Sequence, residues 1–414
     1  MINRENIREY VESAVNAVKI TDTHTHLYPS EFKNLCVWGP DELVTYHYLV
    51  AETLRMGSIS YGDFWNKNKK EQADFVFTAL FNDRSPLSES CRGILTTFNE
   101  LGIDMSGDIL GNARKFYKGM KTDEFIDDVF EKANIEKVVM TNDPFDQIEM
   151  NFWDEGTSFD QRFIPALRLD TLLNSYQNAR YCLIEKGYEV GRSLNGIAKN
   201  EIRRFLKETM SMMKASYMAV SLPPDFTMPF NGTREMLLEE CVIPVAAELN
   251  KPIALMIGVK KLVNPDLYLA GDSVGKAGIE TIEYLCGKYT KNKFMVTMLS
   301  RENQHELCVT ARKYRNLMIF GCWWFLNNPV LIEEITRMRL ELLGLSFIPQ
   351  HSDARVMDQL IYKWKHSRKI ISSVLADKYI DLIDSGWKPS TDGIRKDVEM
   401  LFSGNFKEFE RLSL

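Results

Sequence analysis

Val18-Lys19-Ile20-Thr21-Asp22-Thr23-His24-Thr25-His26 is the stretch from which the 414-residue chain is best read. A short strand-like run, Val18 to Asp22, passes directly into two histidines spaced by one residue. On a strand, positions i and i+2 project to the same face, so the two imidazoles can converge on one ion; on a helix the same spacing points them apart. Two solvent-facing histidines would give the same letters, so the pair gains weight from its place at the end of a strand.

Further apolar runs follow: Lys137 to Thr141, Phe163 to Leu169, Tyr217 to Leu222, Pro252 to Ile257, Phe294 to Leu299, Leu317 to Gly321 and Leu345 to Pro349, eight in all with the first. Most are near-continuous, as in Met295-Val296-Thr297-Met298-Leu299, which suits parallel strands buried on both faces. Helical stretches such as Asn303 to Tyr314 and Pro329 to Leu343 separate the later ones. An open doubly wound sheet would show the same alternation, but eight strand-helix units favour closure. The expected fold is therefore α/β, a distorted (β/α)8 TIM barrel made by residues 1–414 as one unit.

The gap between the first two runs is too long for one connecting helix. Residues 27–136 are read as a helical insertion or cap, with helical spacing over Asp41 to Met56, Tyr61 to Trp65, Lys70 to Phe81, Ser88 to Leu101 and Asp123 to Ala133. An insertion after strand 1 of a barrel emerges on the carboxyl-terminal face, where it can lend side chains to a site.

Composition narrows the function classes. Hydrophobic residues at 45% and charged ones at 26% are ordinary for a globular enzyme. A net charge of -6 without a basic run argues against nucleic acid. No apolar stretch approaches a membrane span and the start has no apolar leader pattern, so a cytoplasmic protein with no membrane partner is expected. Seven scattered cysteines without CxxC spacing indicate neither a disulfide framework nor a cysteine zinc site.

Two neutral imidazoles need a further ligand, preferably a carboxylate, and the last apolar run leads into Gln350-His351-Ser352-Asp353-Ala354-Arg355. Strand 8 of a barrel closes beside strand 1, so Asp353 can approach His24 and His26. A His2Asp set with open positions is catalytic in type. Taken alone, Asp353 could equally cap the helix that follows.

With these motifs the chain resembles the amidohydrolase superfamily and, within it, the uronate isomerases (glucuronate and galacturonate isomerases). The resemblance covers nearly the whole chain and rests on Thr21-Asp22-Thr23-His24-Thr25-His26, Tyr46-His47-Tyr48, Thr141-Asn142-Asp143-Pro144, Ala166-Leu167-Arg168-Leu169-Asp170, Gly321-Cys322-Trp323-Trp324-Phe325 and Ser352-Asp353-Ala354-Arg355. It implies one divalent ion, zinc being the expected metal, on His24, His26 and Asp353. The fourth, fifth and sixth runs end without a histidine or lysine suited to ligation, which disfavours a two-metal hydrolase.

Arg168 and Arg355 present planar forks that can clamp a carboxylate or a hydroxyl pair, although each could instead form a salt bridge across the barrel top. Trp323 could stack on a sugar face or seal the rim. His47 and Tyr48 would be ordinary helix residues by themselves; the resemblance implies that they lie over the substrate. His351 is a candidate to support the ligands, whereas His305 and His366 are read as structural or surface residues. The implied activity is interconversion of D-glucuronate and D-fructuronate, or D-galacturonate and D-tagaturonate, through an enediol. Asp353, Tyr48, His47 and Arg355 would be catalytic; Arg168, Trp323, Arg355 and His47 would hold the hexuronate. The expected assembly is a homo-oligomer. A mononuclear metal-dependent hydrolase is the alternative, and a non-catalytic sugar-binding barrel a third class.

Overall fold

A computed structural model describes residues 2–414. Seven parallel strands form one curled sheet in chain order: β1 (Ile20–Thr25), β2 (Ile135–Asn142), β3 (Phe163–Arg168), β4 (Met218–Leu222), β5 (Ile253–Ile257), β6 (Phe294–Met298) and β7 (Leu317–Ile319). Each coincides with an apolar run of the sequence. Side chains along the strands alternate between two apolar compartments. Val139, Ala166, Ala219, Ala254, Met256, Met295 and Met318 face an inner cluster, whereas Val138, Leu167, Val220, Leu255 and Val296 join the cluster shared with the helices. Most positions on both faces of the strands are buried, which is why the runs read as continuous rather than alternating.

The eighth run does not form a regular strand. It meets β7 through a single bridge, Phe320 to Ile348, with the Ile348 amide donating to Ile319 and the Gly321 amide to Ile348, both at 2.9 Å. Pro349 then removes a donor from the ladder. The carbonyls of Leu345 and Phe347 are taken by the Asn405 side chain at 2.6 and 2.7 Å. Closure onto β1 comes one turn later, where the Asp353 amide donates to His24 and the His26 amide to Ala354 at 3.1 and 2.8 Å. The barrel is closed, and its distortion sits at this seam.

Phe406 and Phe409 from the helix Asn405–Arg411 join the inner cluster and plug the lumen from below. The Lys293 ammonium fastens that helix by donating to the carbonyls of Glu410 and Leu412 at 2.6 and 3.0 Å.

Between β1 and β2 lie helices Pro40–Val44, His47–Leu54, Tyr61–Trp65, Lys69–Phe77, Glu89–Glu100, Ile109–Tyr117 and Thr122–Ala133. The helix read as Asp41 to Met56 is broken at Tyr46, whose backbone is extended (φ -60°, ψ 141°), so His47 starts a new helix. Ile109–Tyr117 was not anticipated, nor was the antiparallel pair Val259–Lys260 with Ser273–Val274 after β5. All seven cysteines are unpaired and six are buried. Among the described residues no helix is long and apolar enough to cross a membrane.

Phe406 is 3% exposed, and Phe406→Ala should lower stability by about 3 kcal/mol through the cavity it leaves. The expected readout is a Tm several degrees lower in a thermal melt, and an unchanged Tm would mean the lumen is sealed without this ring.

Candidate metal centre

His24 and His26 leave the carboxyl end of β1 on one face. Their rings stand edge to face with centroids 5.3 Å apart. The Nε2 atoms lie 3.8 Å (His24) and 3.3 Å (His26) from Asp353 Oδ1, and the three ligand atoms all fall within 4.8 Å of one another. An ion bound at about 2.1 Å to each would space tetrahedral ligand atoms roughly 3.4 Å apart, so the set is close to a cage. Asp353 Oδ1 is buried and has no hydrogen-bond partner among the described residues, an arrangement that costs stability unless a cation completes it.

The hydrogen bonds behind each imidazole fix which nitrogen carries the proton. The Tyr217 hydroxyl donates to the Thr23 carbonyl at 2.7 Å; its oxygen, 3.3 Å from His24 Nδ1, is left to accept from that nitrogen. The Thr141 hydroxyl donates to the Thr25 carbonyl at 3.0 Å and accepts from His26 Nδ1 at 2.9 Å in the same way. Both Nε2 lone pairs therefore face Asp353. Burial drives both histidines toward the neutral form, His24 to about 3 and His26 well below its ordinary value, with Arg355 and Arg168 adding repulsion at His26. Neutral imidazoles are what a metal binds.

Asp353 is delivered by an unusual backbone. Its φ is +50°, a left-handed conformation that costs a non-glycine residue about 1 kcal/mol. Lys363, buried in the long helix Gln359–Asp384, donates to the carbonyls of Ser352 and Asp353 at 2.6 and 3.5 Å. Asp22 grips the same turn from β1, accepting from the Ser352 amide at 3.0 Å and from Trp364 Nε1 at 2.8 Å. Burial pushes the Asp22 carboxyl up to about 6 and the Lys363 ammonium down to about 8.

Other residues singled out from the sequence fall at different distances from this centre. Arg355 is in direct contact, with Nη2 3.4 Å from His26 Nε2. His47 and Tyr48 pack together with ring centroids 4.5 Å apart, and both feel Asp353 and Arg355 electrostatically. Neither ring nitrogen of His47 has a hydrogen-bond partner among the described residues. Arg168 adds its charge to both histidines, but its guanidinium is paired with Asp170 at 3.1 Å. Trp323 is buried in the inner cluster; the neighbouring Trp324 is the ring set against His47, at 5.8 Å. His351 is fully buried 5.3 Å from the His24 ring, and Gly321 (φ 68°) makes room for it, since a Cβ there would lie 1.9 Å from His351 Cδ2. His305 is exposed, and His366 is bound by Glu89 and Thr96.

Tyr217, Thr141, Asp22 and Lys363 have no role in the sequence reading. Asp22 and Thr141 lie inside motifs quoted there, so a signal existed; Tyr217 and Lys363 carry no local mark.

A crystal structure of a uronate isomerase from Bacillus halodurans C-125 superposes on the chain with a TM-score of 0.98 at 51% sequence identity, covering 99% of this chain and 97% of that one. The chain belongs to the uronate isomerase family. A uronate isomerase from Thermotoga maritima (15% identity, TM-score 0.77, 98% and 97% covered) and a glucuronate isomerase from Caulobacter crescentus (14%, 0.79, 99% and 95%) share the fold. No family model and no curated protein sequence matches the chain.

Tyr217→Phe keeps the ring and removes the oxygen that orients His24. It should weaken zinc or cobalt binding about tenfold, read by chelator competition on the stripped protein; equal affinity would mean that packing alone holds the imidazole.

Proposed function

We propose that the protein is a metal-dependent aldose-ketose isomerase acting on hexuronates, interconverting D-glucuronate with D-fructuronate or D-galacturonate with D-tagaturonate. The observation that carries this reading is the convergence of His24, His26 and Asp353 beside Arg355, His47 and Tyr48, in a chain 51% identical to a uronate isomerase. Two imidazoles and one carboxylate suit zinc. When bound, the ion acts as a Lewis acid that orients substrate oxygens and stabilises developing negative charge.

The chain's own groups then divide the proton traffic. Asp353, whose second oxygen stays available, assists ring opening by moving a proton between the ring oxygen and the anomeric hydroxyl. The reaction next transfers a proton from C2 to C1 through an enediol, which needs a base over the C2 face. Tyr48 is assigned that position. Burial holds its phenol neutral, raising it well above the ordinary value, and Arg355 is the cation that opposes this shift. To act as base the phenol first passes its own proton to a ring nitrogen of neutral His47, which has no partner among the described residues and whose ring centroid is 4.5 Å away. The phenolate takes the C2 hydrogen and returns it to C1, and the proton held by His47 then goes back to Tyr48. His47, kept neutral by burial, can donate one hydrogen bond to the carbonyl oxygen as charge builds on it. Arg168 binds the polar chain of the sugar, and Trp323 contributes from beneath as part of the packed rim. The reading extends to a cytoplasmic homo-oligomer, which rests on sequence alone and is tested for assembly by sedimentation of the purified chain.

Isomerase activity should appear on at least one of the two uronates with one zinc per chain. Asp353→Asn should lower kcat by about 10³-fold, and full activity in that variant would refute its role. Tyr48→Phe should lower kcat about 10²-fold and abolish exchange of the C2 hydrogen with solvent. Retained exchange would assign the proton to another base.

A further inference from the structure

Lys261 is a cation that neither the ligand set nor the proton path uses. It stands just beyond the antiparallel pair Val259–Lys260 and Ser273–Val274, which projects from the end of β5 over the barrel mouth. The base of this hairpin is tightly built. The Gly258 amide donates to Leu222 and the Gly275 amide to Gly258, both at 2.9 Å; Gly258 has φ +121°, and a Cβ on it would lie 2.9 Å from the Gly275 carbonyl. The far side rests on the helical segment after β1, where Trp65 Nε1 donates to the Asp266 carbonyl at 2.8 Å and the Trp65 ring meets Tyr268.

Asp272 fixes the Lys261 end of the loop. Its side chain is only 2% exposed, and it accepts the Leu262 amide at 2.8 Å and the Lys261 ammonium at 2.7 Å. An ammonium carries three donors. One is spent on Asp272, while the side chain as a whole stays 61% exposed, so the remaining N–H groups are presented outward at a defined place. The ammonium also lies 5.8 Å from the centroid of Trp324, the ring set against His47.

What it faces is a cavity of about 370 Å³ reaching Arg168. Arg168, Arg234 and Lys261 line it, and Asp170 is its one carboxylate, already paired with Arg168. Ser221, Asn174 and Thr171 supply neutral polar groups. Each of the three cations has a carboxylate within 4 Å, Arg168 with Asp170, Lys261 with Asp272 and Arg234 with Glu235, but only Asp170 lines the cavity. The N–H groups left over can hold an anion there, and Arg168 links the cavity to the candidate metal centre, its charge being felt at His24 and His26.

We propose that Lys261 is a specificity-determining residue that binds the carboxylate of an acyclic sugar acid entering this cavity, so that neutral sugars of the same length are rejected. The assignment rests on the isomerase reading for the identity of the substrate, but not for the chemistry of the contact. Asp272 holds the ammonium ready, and the hairpin brings it to the rim without closing the mouth.

The test uses the full-length, metal-loaded protein. Lys261→Met should raise KM for D-glucuronate about tenfold while kcat stays within about twofold, the loss of one charge-assisted hydrogen bond. The slope of log kcat/KM against log ionic strength should become shallower, and Lys261→Arg should recover most of the KM. In parallel, calorimetry measures binding of D-glucarate, which has carboxylates and no carbonyl to isomerise, and of neutral D-glucitol. Wild type should prefer glucarate, and Lys261→Met should lose most of that preference. If wild type turns over neither uronate, the isomerase reading falls, and glucarate binding alone decides the role of Lys261. Equal KM or equal glucarate affinity in wild type and Lys261→Met overturns the proposal.

Discussion

Everything in this molecule depends on the seam where the barrel closes. The two hydrogen bonds that join the last barrel segment to β1 are made by the backbones of residues 353–354 with those of His24 and His26. The same residues carry the candidate metal ligands. Barrel closure and ligand convergence are therefore one event: if the seam opens, Asp353 leaves the imidazoles, and if the seam forms, it cannot miss them. This explains why the strain at Asp353 is tolerated. Its left-handed backbone is held from both sides, by Asp22 on β1 and by Lys363 on the helix beyond.

Burial then sets the chemical state of the parts. The site is a dry pocket of titratable groups, and desolvation is the leading influence on His24, His26, His47 and Tyr48 alike. It keeps the imidazoles unprotonated and the phenol protonated, so the candidate ligands are in the form that binds a cation and the Tyr48 side chain is uncharged. The two fixed cations each have a polar neighbour: the Arg168 guanidinium pairs with Asp170 and the Arg355 guanidinium lies 3.4 Å from His26 Nε2.

Much of this was legible in the residue order, for physical reasons. Most of the strands could be found because a barrel lined by Met256 and Met295 inside and Leu255 and Val296 outside leaves few polar positions to interrupt a run; β1, polar after Ile20, was found through its histidines instead. His24 and His26 announced themselves through strand geometry, and Asp353 through the adjacency that closure imposes. The eighth strand read as well as the others but formed only a bridge, since Pro349 and the Asn405 amide remove its ladder partners. The break at Tyr46 was invisible because the flanking residues keep helical spacing. Tyr217 could not be recognised as the support of His24: the two are 193 positions apart, and only the lumen brings them together. Trp323 and Trp324 are chain neighbours buried in the same inner cluster, and no pattern distinguishes which of them meets His47.

The plug formed by Phe406 and Phe409 sets an order of events for a nascent polypeptide. Translation delivers all seven strands long before it delivers the floor they need. Until those two rings leave the ribosome, the inner methionines and Phe320 are open to water from beneath. Helices can form and the sheet can curl during synthesis, yet the buried interior beneath the candidate ligands is completed only once residues 405–411 have followed the strands.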